Sequence, residues 1–437
     1  MLTNNTSTLT ISVIGLGKIG LPLAVQFASK GFQVFGADID QRVVDLVNNG
    51  LTPFPGEEDL DWKLKEVVRS GLLVASLDTK DVVSKSNVVV VVVPLFVDEQ
   101  GIPDFRAMDG ATELIGFGLK HGTLVSYETT LPIGTTRNRF TPNLEKFSNL
   151  RADEDFYVVV SPERVLTGRV FQDLSKYPKL VGGISPESEA RGIAFYSQVL
   201  DFQERSDLPI KNGVWSMGSS EASEFAKLAE TTYRDVNIGL ANQFALFAQE
   251  IGVDVHKIIR ASNSQPFSHI HQPGIAVGGH CIPIYPQMYL WRDSSATIVR
   301  SAREANELMP IKCIEWLERK HGSLSGQRVV VLGASYRGGV KETAFSGAFR
   351  LVQTLEKYGS IVVVHDPMYT DSELENLGFR SFNFDSPVDI VVVQADHAMY
   401  NHLTKEDFPG VRAVFDGRGI LNEFNWQGVD FCLIGRG

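Results

Sequence analysis

The sequence predicts an α/β protein in which two doubly wound domains are joined by a central helical region with one long helix. Short β-branched runs alternate with helical stretches in the first part of the chain, as in a sheet covered by helices on both faces. An uninterrupted amphipathic stretch follows at Ser219–Ile251, and the strand–helix alternation returns near residue 328. With 437 residues, the chain is long enough for two or three domains that each bury a core.

The N-terminal strands are predicted from apolar, β-branched runs. Six consecutive valines, Val88–Val93, are typical of a strand that is buried on both faces of a parallel sheet. The spacing of apolar residues predicts helices at Leu21–Lys30 and Gln41–Asn49. The predicted strands are Ile11–Ile14, Gln33–Ala37, Val88–Val93, Thr123–Tyr127 and Tyr157–Val160.

The stretch Ser219–Ile251 predicts a single long helix, because Gly239 is its only glycine and it contains no proline. A helix of this length spans about 45 Å, which is more than one small core can cover. We therefore expect it to bridge two domains and to pack against a second copy, as a homodimer or a larger homo-oligomer. Its mostly apolar stripe comprises Phe225, Leu228, Thr232, Val236, Leu240, Phe244, Phe247 and Ile251.

The C-terminal part again predicts a parallel sheet. The expected domains are residues 1–212, residues 213–320 and residues 321–437. The predicted strands of the last domain are Arg328–Leu332, Ile361–Val364, Asp389–Val393, Ala413–Phe415 and Phe431–Ile434.

Composition excludes several classes of protein. Hydrophobic residues make up 43% and charged residues 21% of the chain, a balance that excludes intrinsic disorder. The net charge of −11 argues against a nucleic-acid partner, which needs a basic face. The sequence shows no secretory signal and no apolar run long enough to span a membrane, so we expect a cytoplasmic protein without a membrane partner. Three scattered cysteines predict neither a disulfide framework nor a metal site, in keeping with a reducing compartment.

A glycine-rich turn follows the first predicted strand. Gly15 permits a tight turn, Gly17 lets the backbone approach a pyrophosphate, and Gly20 allows a helix to pack closely on the strand. Asp38 stands at the end of the next strand, where a carboxylate binds both hydroxyls of an adenosine ribose and repels a 2′-phosphate. The motif therefore predicts a Rossmann-like domain that binds NAD rather than NADP, although a purely structural turn would show the same glycines.

A second motif presents a cysteine. Gly278 and Gly279 precede His280 and Cys281 directly, so the thiol can be displayed without steric cover. A cysteine becomes a nucleophile when nearby positive charge or backbone N–H groups stabilise its thiolate. A single cysteine is more often a small buried hydrophobe, which is the interpretation we give to Cys313 and Cys432.

Polar residues follow two of the predicted strands, and a lysine lies on the long helix. Tyr127–Thr136 and Ser161–Arg164 come at carboxyl ends of strands, where ligands bind in α/β sheets. Lys227 lies beside the apolar stripe of the long helix, and the ordinary interpretation of such a lysine is a solvated, exposed side chain.

These motifs, in this order, resemble the UDP-glucose/GDP-mannose dehydrogenases, the nucleotide-sugar 6-dehydrogenases. The chain reads GLGKIG with Asp38, then ETTLPIGTT, SPERV, KLAETTYRDVN and PGIAVGGHCIP. SPERV and GGHCIP make it most similar to the branch that acts on UDP-N-acetylhexosamines, UDP-ManNAc or UDP-GlcNAc. The resemblance covers nearly the whole chain and extends through Tyr336 to Asp416-Gly417-Arg418.

The resemblance implies a four-electron, NAD-dependent oxidation of the sugar C6 alcohol to a uronic acid for polysaccharide biosynthesis. It implies an NAD-binding N-terminal domain, a dimerising helical centre, and a Rossmann-like C-terminal domain that helps to hold the nucleotide sugar. Cys281 matches the catalytic thiol, Lys227 the lysine that stabilises the oxyanion, and Glu163 the carboxylate linked with water activation. Thr130 matches the hydroxyl near that water, and Thr231 stands where the family has asparagine. The implied cofactor-binding residues are Gly15, Gly17, Lys18, Ile19, Gly20, Asp38, Pro94 and Thr130. The implied substrate-binding residues are Glu163, Arg164, Val165, Lys227, Arg234, Asn237, His269, Gly278, Tyr336 and Arg337.

The sequence also departs from the family pattern. Tyr285 replaces the aspartate expected four residues after the cysteine, and a phenol is a poor base near pH 7. Three alternatives therefore stay open: a UDP-glucose or GDP-mannose dehydrogenase, a divergent nucleotide-sugar-binding protein with reduced activity, and a two-electron alcohol dehydrogenase.

Overall fold

The computed structural model describes residues 9–98 and 100–437, and the chain divides into two compact units, Met1–Ala229 and Glu230–Gly437. We refer to them as the first and the second unit. Each is built on a parallel or largely parallel sheet flanked by helices, which confirms the predicted α/β class.

The first unit contains an eight-stranded sheet in the order β10-β9-β8-β7-β4-β1-β2-β3, and a short hairpin of β5 and β6. Neighbouring strands of the large sheet are parallel except β8 and β9. The strands are β1 (Thr10–Ile14), β2 (Gln33–Ala37), β3 (Leu73–Ser76), β4 (Val88–Val91), β5 (Phe96–Val97), β6 (Pro103–Asp104), β7 (Leu124–Tyr127), β8 (Tyr157–Val160), β9 (Lys179–Gly183) and β10 (Val214–Ser216). The helices are α1 (Gly20–Ser29), α2 (Gln41–Asn48), α3 (Leu60–Arg69), α4 (Thr79–Ser84), α5 (Arg106–Gly118), α6 (Thr141–Ser148), α7 (Val170–Lys176) and α8 (Pro186–Val199), with a π-helical turn at Thr136–Phe140.

The order in which successive strands are added to the sheet reverses between β1 and β4, and α/β sheets bind ligands at such a switch point. All four valines of β4 are buried, as the valine run predicts, although the strand ends at Val91 rather than at residue 93. The predicted strands are found within one or two residues of their expected ends. The sequence predicts none of the strands β3, β5, β6, β9 and β10.

The long helix α9 (Ser220–Ile251) has 32 residues and crosses from the first unit into the second. A second long helix, α12 (Thr297–His321), has 25 residues and carries Pro310 within it, and the sequence does not predict it. A buried network joins the two helices in the second unit: Asp235 Oδ1 accepts hydrogen bonds from Arg303 Nη1 at 2.9 Å and from Asn306 Nδ2 at 2.7 Å. Polar and charged residues interrupt the apolar pattern of α12, so its sequence does not show a simple stripe. The further helices are α10 (Val255–Ser262), α11 (Tyr285–Arg292), α12 (Thr297–His321), α13 (Gly347–Lys357) and α14 (Asp371–Asn376).

The second unit has a five-stranded parallel sheet in the order β12-β11-β13-β14-β15. The switch point of this sheet, where the strand order reverses, lies between β11 and β13. The strands are β11 (Arg328–Leu332), β12 (Ile361–His365), β13 (Ile390–Val393), β14 (Ala413–Asp416) and β15 (Asp430–Leu433), and 3₁₀ turns lie at Ala398–His402, Lys405–Asp407 and Glu423–Trp426. Within the described ranges, no helix is both long and apolar enough to cross a membrane.

Candidate active site

The glycine-rich turn after β1 adopts a geometry that only glycine permits at two positions. Gly15 has φ +94°, and a side chain there would come within 2.9 Å of the Val92 carbonyl oxygen. A Cβ atom on Gly20 would lie 1.8 Å from the carbonyl oxygen of Gly15. Gly17 is exposed, and a Cβ atom there would meet nothing within 4 Å. The turn is therefore closely packed at Gly15 and Gly20 and accessible at Gly17, as a backbone that contacts a pyrophosphate must be.

Asp38 completes this part of the site as the first residue after β2. Its Oδ2 accepts a hydrogen bond from Leu16 N at 2.8 Å and its Oδ1 accepts one from Asp40 N at 3.0 Å. The side chain remains half-buried, and helix α1 begins at Gly20 without a side-chain cap. The residues present fit NAD, because the start of α1 can receive phosphate and the accessible carboxylate can receive ribose hydroxyls. The other predicted cofactor residues are exposed Lys18, half-buried Ile19 and exposed Pro94, which follows β4.

The loop after β7 carries Thr130, which is buried. One carboxylate of α9 holds this loop: Glu224 accepts hydrogen bonds from Gly134 N at 2.5 Å and from Thr136 N at 2.9 Å. Burial raises the pKa of Glu224 to about 7, against the opposing effect of these hydrogen bonds.

Lys227 lies three residues after Glu224 on α9 and is only 7% exposed. The sequence favoured a solvated side chain at this position, and that expectation is wrong. A buried ammonium can stabilise a negative oxygen more strongly than a solvated one, because little water screens the charge.

Glu163 lies after β8 in a buried cluster of charged residues. Lys179 Nζ donates a 2.7 Å hydrogen bond to Glu163 Oε2 and a shorter one to Glu128. Tyr196 OH donates to Glu128 Oε1 at 2.6 Å. Arg164 N donates to Glu163 Oε1 at 2.7 Å. We call Glu128, Glu163, Lys179 and Tyr196 the carboxylate cluster.

The strand register explains how these residues meet. In the antiparallel pair of β8 and β9, Val160 lies opposite Gly182, so three further residues bring Glu163 opposite Lys179. Glu128 follows β7 on the neighbouring parallel strand, and Glu163 N donates to its carbonyl oxygen at 3.0 Å.

The two carboxylates of the cluster differ in proton affinity. Burial raises the pKa of Glu128 to about 7, although Lys179 acts in the opposite direction. Burial also acts to raise the pKa of Glu163, but Lys179 outweighs it and holds the pKa below its usual range. The two carboxylates outweigh burial at Lys179 and raise its pKa, so the lysine stays charged. The sequence motifs do not point to Lys179 or Tyr196, and the one signal available is a lysine that opens an otherwise apolar strand.

In the second unit, two glycines shape the loop that presents Cys281. A Cβ atom on Gly278 would lie 2.7 Å from the Phe345 carbonyl oxygen, and one on Gly279 would lie 2.9 Å from the ring of Tyr336. Cys281 is half-buried, and its carbonyl oxygen accepts a 2.9 Å hydrogen bond from Tyr285 N at the start of α11. The glycines therefore let the cysteine loop pack closely on the segment that contains Tyr336.

The other two cysteines are buried, as predicted, and burial raises the pKa of both thiols, to about 12 for Cys432. His280 is exposed, and its Nε2 lies 3.5 Å from Glu342 Oε2.

Asn237 has its side chain engaged with a neighbouring loop. Its Nδ2 donates to the His269 carbonyl oxygen at 2.7 Å, and its Oδ1 accepts from His271 N at 2.9 Å. The amide therefore shapes the loop of His269. Two nearby predicted residues differ in exposure: Thr231 is buried, whereas Arg234 is exposed.

Tyr336 and Arg337 follow β11. Arg337 is exposed, and its Nε donates to Tyr336 OH at 3.1 Å. Arg418 lies beneath them and donates from Nη2 to the carbonyl oxygen of Tyr336 at 3.3 Å. Because Arg418 also donates to the side-chain oxygen of Gln394 at 3.1 Å, it ties the ends of β11, β13 and β14 together.

The predicted site residues thus divide between the units. The first unit contains all the predicted cofactor residues and also Glu163, Arg164, Val165 and Lys227. The second unit contains Thr231, Arg234, Asn237, His269, Gly278, Cys281, Tyr336 and Arg337.

Three family models match consecutive parts of the chain. All describe the UDP-glucose/GDP-mannose dehydrogenase family: its NAD binding domain matches residues 9–200, its central domain residues 221–308, and its UDP binding domain residues 330–423.

Named relatives match nearly the full length. The UDP-N-acetyl-D-mannosamine dehydrogenase of Pyrococcus horikoshii is 34% identical, over 98% of this chain and 99% of that protein. The NDP-N-acetyl-D-galactosaminuronic acid dehydrogenase of Ralstonia nicotianae is 31% identical, over 94% of this chain and 96% of that protein. A solved structure of UDP-D-ManNAc dehydrogenase from Pyrococcus horikoshii superposes with a TM-score of 0.85 at 32% identity, covering 98% of this chain and 100% of that one.

Proposed function

This chain belongs to the UDP-glucose/GDP-mannose dehydrogenase family, and from that premise we propose that it oxidises the C6 alcohol of a UDP-N-acetylhexosamine to a carboxylate. UDP-N-acetylmannosamine is the substrate that we place first. The observation that carries this choice is the full-length match, at 34% identity, to a relative named for that sugar. The enzyme is an NAD-dependent nucleotide-sugar dehydrogenase. When bound, NAD would supply the hydride acceptor for each of the two oxidations.

Cys281 carries the covalent part of the proposed reaction. The first oxidation removes a hydride and a proton from the alcohol and leaves an aldehyde. Addition of the Cys281 thiol to the aldehyde gives a thiohemiacetal, and loss of a second hydride and proton gives a thioester. Water then attacks the thioester carbon, and the thiol departs as the carboxylate forms.

The remaining residues act on charge and protons. Lys227 stabilises the negative oxygen that appears when the thiol and later the water add to the carbonyl carbon. Glu163 accepts a proton from the attacking water, with the Thr130 hydroxyl near that water, and Thr231 supplies a further hydroxyl.

For substrate binding we propose Arg164, Val165, Arg234, Asn237, His269, Gly278, Tyr336 and Arg337, together with Glu163 and Lys227. The proposed domain division follows the three functions, with residues 1–212 for NAD, 213–320 for the helical centre and 321–437 for the nucleotide. We place the reaction in the cytoplasm, in keeping with three free cysteines.

A panel of UDP- and GDP-sugars, assayed for NADH, tests the substrate. We expect two NADH per UDP-N-acetylmannosamine and an acid as the product. A higher kcat/KM for UDP-N-acetylgalactosamine would favour the second candidate, which rests on the 31% identical relative from Ralstonia nicotianae. Preference for UDP-glucose or GDP-mannose, release of aldehyde, or sugar binding without NADH would each contradict the proposal.

Replacement of the thiol tests the covalent mechanism. Cys281→Ser should abolish acid formation, because serine is a poorer nucleophile without a dedicated base. Cys313→Ala is the matched control and should retain activity, since Cys313 lies in the core. Two NADH per sugar from Cys281→Ser at a comparable rate would contradict the mechanism. Tyr285→Phe then shows whether the phenol that replaces the family aspartate assists proton transfer.

The homodimer is a proposal supported by the surface of α9. Six large apolar or aromatic side chains are exposed along this helix, up to 60% for Phe247. They are Phe225, Tyr233, Leu240, Phe244, Phe247 and Ile251, and the last four follow the three- and four-residue spacing of a helix-packing face. Light scattering should show a dimer or larger assembly, and a monomer at micromolar concentration would contradict it.

A further inference from the structure

The carboxylate cluster contains one more negative group than the proposed reaction requires. Glu128 is 1% exposed, and its carboxylate receives hydrogen bonds from the side chains of Lys179 and Tyr196. Among the described contacts it receives none from backbone N–H groups, so it does not anchor a loop in the way that Glu224 does. A buried carboxylate costs free energy unless it is paired, and Glu128 shares its one cation with Glu163.

The charges of the cluster leave room for one proton. Two carboxylates and one ammonium amount to a net charge of −1 in a place that excludes most water, a state that proton uptake neutralises. The groups that face Glu128 are Lys179 from β9, Glu163 from the segment after β8 and Tyr196 from α8. Ser126 of β7 contacts Tyr196 instead, with its Oγ 2.7 Å from Tyr196 OH.

Glu163 alone is a weak base for the hydrolytic water. The ammonium of Lys179 lies 2.7 Å from its Oε2 and favours the ionised carboxylate, which disfavours protonation. A base of this kind works well only if the proton does not have to stay on it.

We propose that Lys179 and Glu128 form a proton relay behind Glu163, with Glu128 as the final acceptor of the proton that water releases during thioester hydrolysis. This inference rests on the proposed function, in which Glu163 receives that proton. Lys179 and Glu128 act through Glu163 and are therefore positioning residues.

The relay balances without any further reactant. As the water oxygen bonds to the thioester carbon, one water proton moves to Glu163. Glu163 passes a proton to Lys179 Nζ in concert with the transfer of one ammonium proton from Nζ to Glu128. The Cys281–carbon bond breaks, and the cluster is left with ionised Glu163, charged Lys179 and neutral Glu128. Its net charge changes from −1 to zero. Burial gives Glu128 a pKa of about 7, so it can release the proton again near neutral pH.

Glu128→Gln tests the relay in the full-length enzyme. Glutamine keeps the size of the side chain and an oxygen for Lys179 but cannot accept the proton. With UDP-N-acetylmannosamine and NAD, we expect the rapid formation of NADH to be unchanged, because both oxidations precede hydrolysis. Decay of the covalent adduct, followed by rapid quench and intact mass, should slow by about ten- to a hundredfold. Its rise with pH around 7 should disappear. Glu189→Gln, a buried carboxylate outside the cluster, is the matched control.

Tyr196→Phe provides a second variant whose effect is a shift rather than a loss. The Tyr196 hydroxyl donates to Glu128 and stabilises its ionised form, so its removal raises the pKa of Glu128. The midpoint of the pH profile for adduct decay should move upward by about half a pH unit or more. Tyr157→Phe, on neighbouring β8, should leave the midpoint in place.

Two kinds of result distinguish a failure of the relay from a failure of the proposed function. Adduct decay in Glu128→Gln that matches wild type at every pH, or an unmoved midpoint in Tyr196→Phe, would overturn the relay alone. A wild-type enzyme that forms neither NADH nor an adduct with any UDP-N-acetylhexosamine would overturn the proposed function and the relay with it.

Discussion

The first strand of each sheet is followed by the same two features, a glycine with positive φ and a carboxylate after the next strand. In the first unit these are Gly15, with φ +94°, and Asp38 after β2. In the second unit they are Gly333, with φ +109°, and Asp366 after β12. Each carboxylate also accepts a hydrogen bond from the residue that follows the glycine, at 2.8 Å from Leu16 N and at 2.9 Å from Ala334 N.

The two turns differ in what surrounds the carboxylate. Asp38 is half-buried, whereas Asp366 is 1% exposed and lies 3.1 Å from His397 Nε2. Helix α1 begins inside the first turn at Gly20, but α13 begins only at Gly347, well beyond Gly333. A glycine and an acid are therefore not sufficient for a dinucleotide site. The acid must stay accessible and a helix must start at the turn, and only the first unit meets both conditions.

The largest effect is expected from removal of the buried acid. Asp366→Ala leaves three backbone N–H groups, of Ala334, Ser335 and Met368, without their acceptor and should reduce the free energy of unfolding by about 3 kcal/mol. Urea denaturation measures this loss. Asp385→Ala, at an exposed carboxylate of the same unit, should change it by less than about 0.5 kcal/mol. A loss below about 1 kcal/mol at Asp366 would remove the contrast between the two turns.

The next effect concerns Glu224, which anchors a loop in the first unit as Asp366 does in the second. Burial raises the pKa of Glu224 from 4.5 to about 7, whereas hydrogen bonds from His397 and the backbone outweigh burial at Asp366 and lower its pKa. The contribution of Glu224 to stability is therefore fully present below about pH 4.5 and is lost as the pH rises through 7. Between about pH 4.5 and 7, the free energy of unfolding should therefore fall by about 2 kcal/mol less in Glu224→Gln than in the wild type. Equal slopes in variant and wild type, measured by urea denaturation, would contradict it.

A smaller effect is expected at the accessible acid. Asp38→Ala should raise the KM for NAD about tenfold, because the ribose hydroxyls lose their acceptor. It should also reduce discrimination against NADP, whose 2′-phosphate the carboxylate repels. Asp40→Ala, two residues away and exposed, is the control. Equal kcat/KM of the wild type with NAD and NADP would show that Asp38 does not select the cofactor.

The smallest effect is expected at the residue that covers Asp366. His397→Ala removes one of the partners of Asp366 and should cost about 1 kcal/mol of unfolding free energy. Calorimetric titration should still give one NAD per chain, because three N–H groups hold Asp366 and no helix begins at the turn. A second NAD per chain would mean that His397 alone closes the site.

The sequence by itself determined the α/β class, most strands of both sheets, the long helix and the glycine turn with Asp38. These features are local. A valine run reports burial on both faces of a strand, apolar spacing reports a helix, and steric exclusion of a side chain at Gly15 and Gly20 is a property of one turn. The recognised motifs also indicated Cys281 and Lys227, because their neighbours along the chain carry the signal.

Only the tertiary structure decided which polar groups are buried and what they contact. Lys227 has the sequence context of an exposed lysine, yet it is 7% exposed. Lys179 lies 16 residues from Glu163 and 51 residues from Glu128 along the chain, and the three meet because β9 runs antiparallel to β8 beside β7. Asn237 matches a substrate residue by motif, but its amide holds the loop of His269. Burial, pairing and proton affinity depend on strand order and register, which residues distant in the sequence establish together.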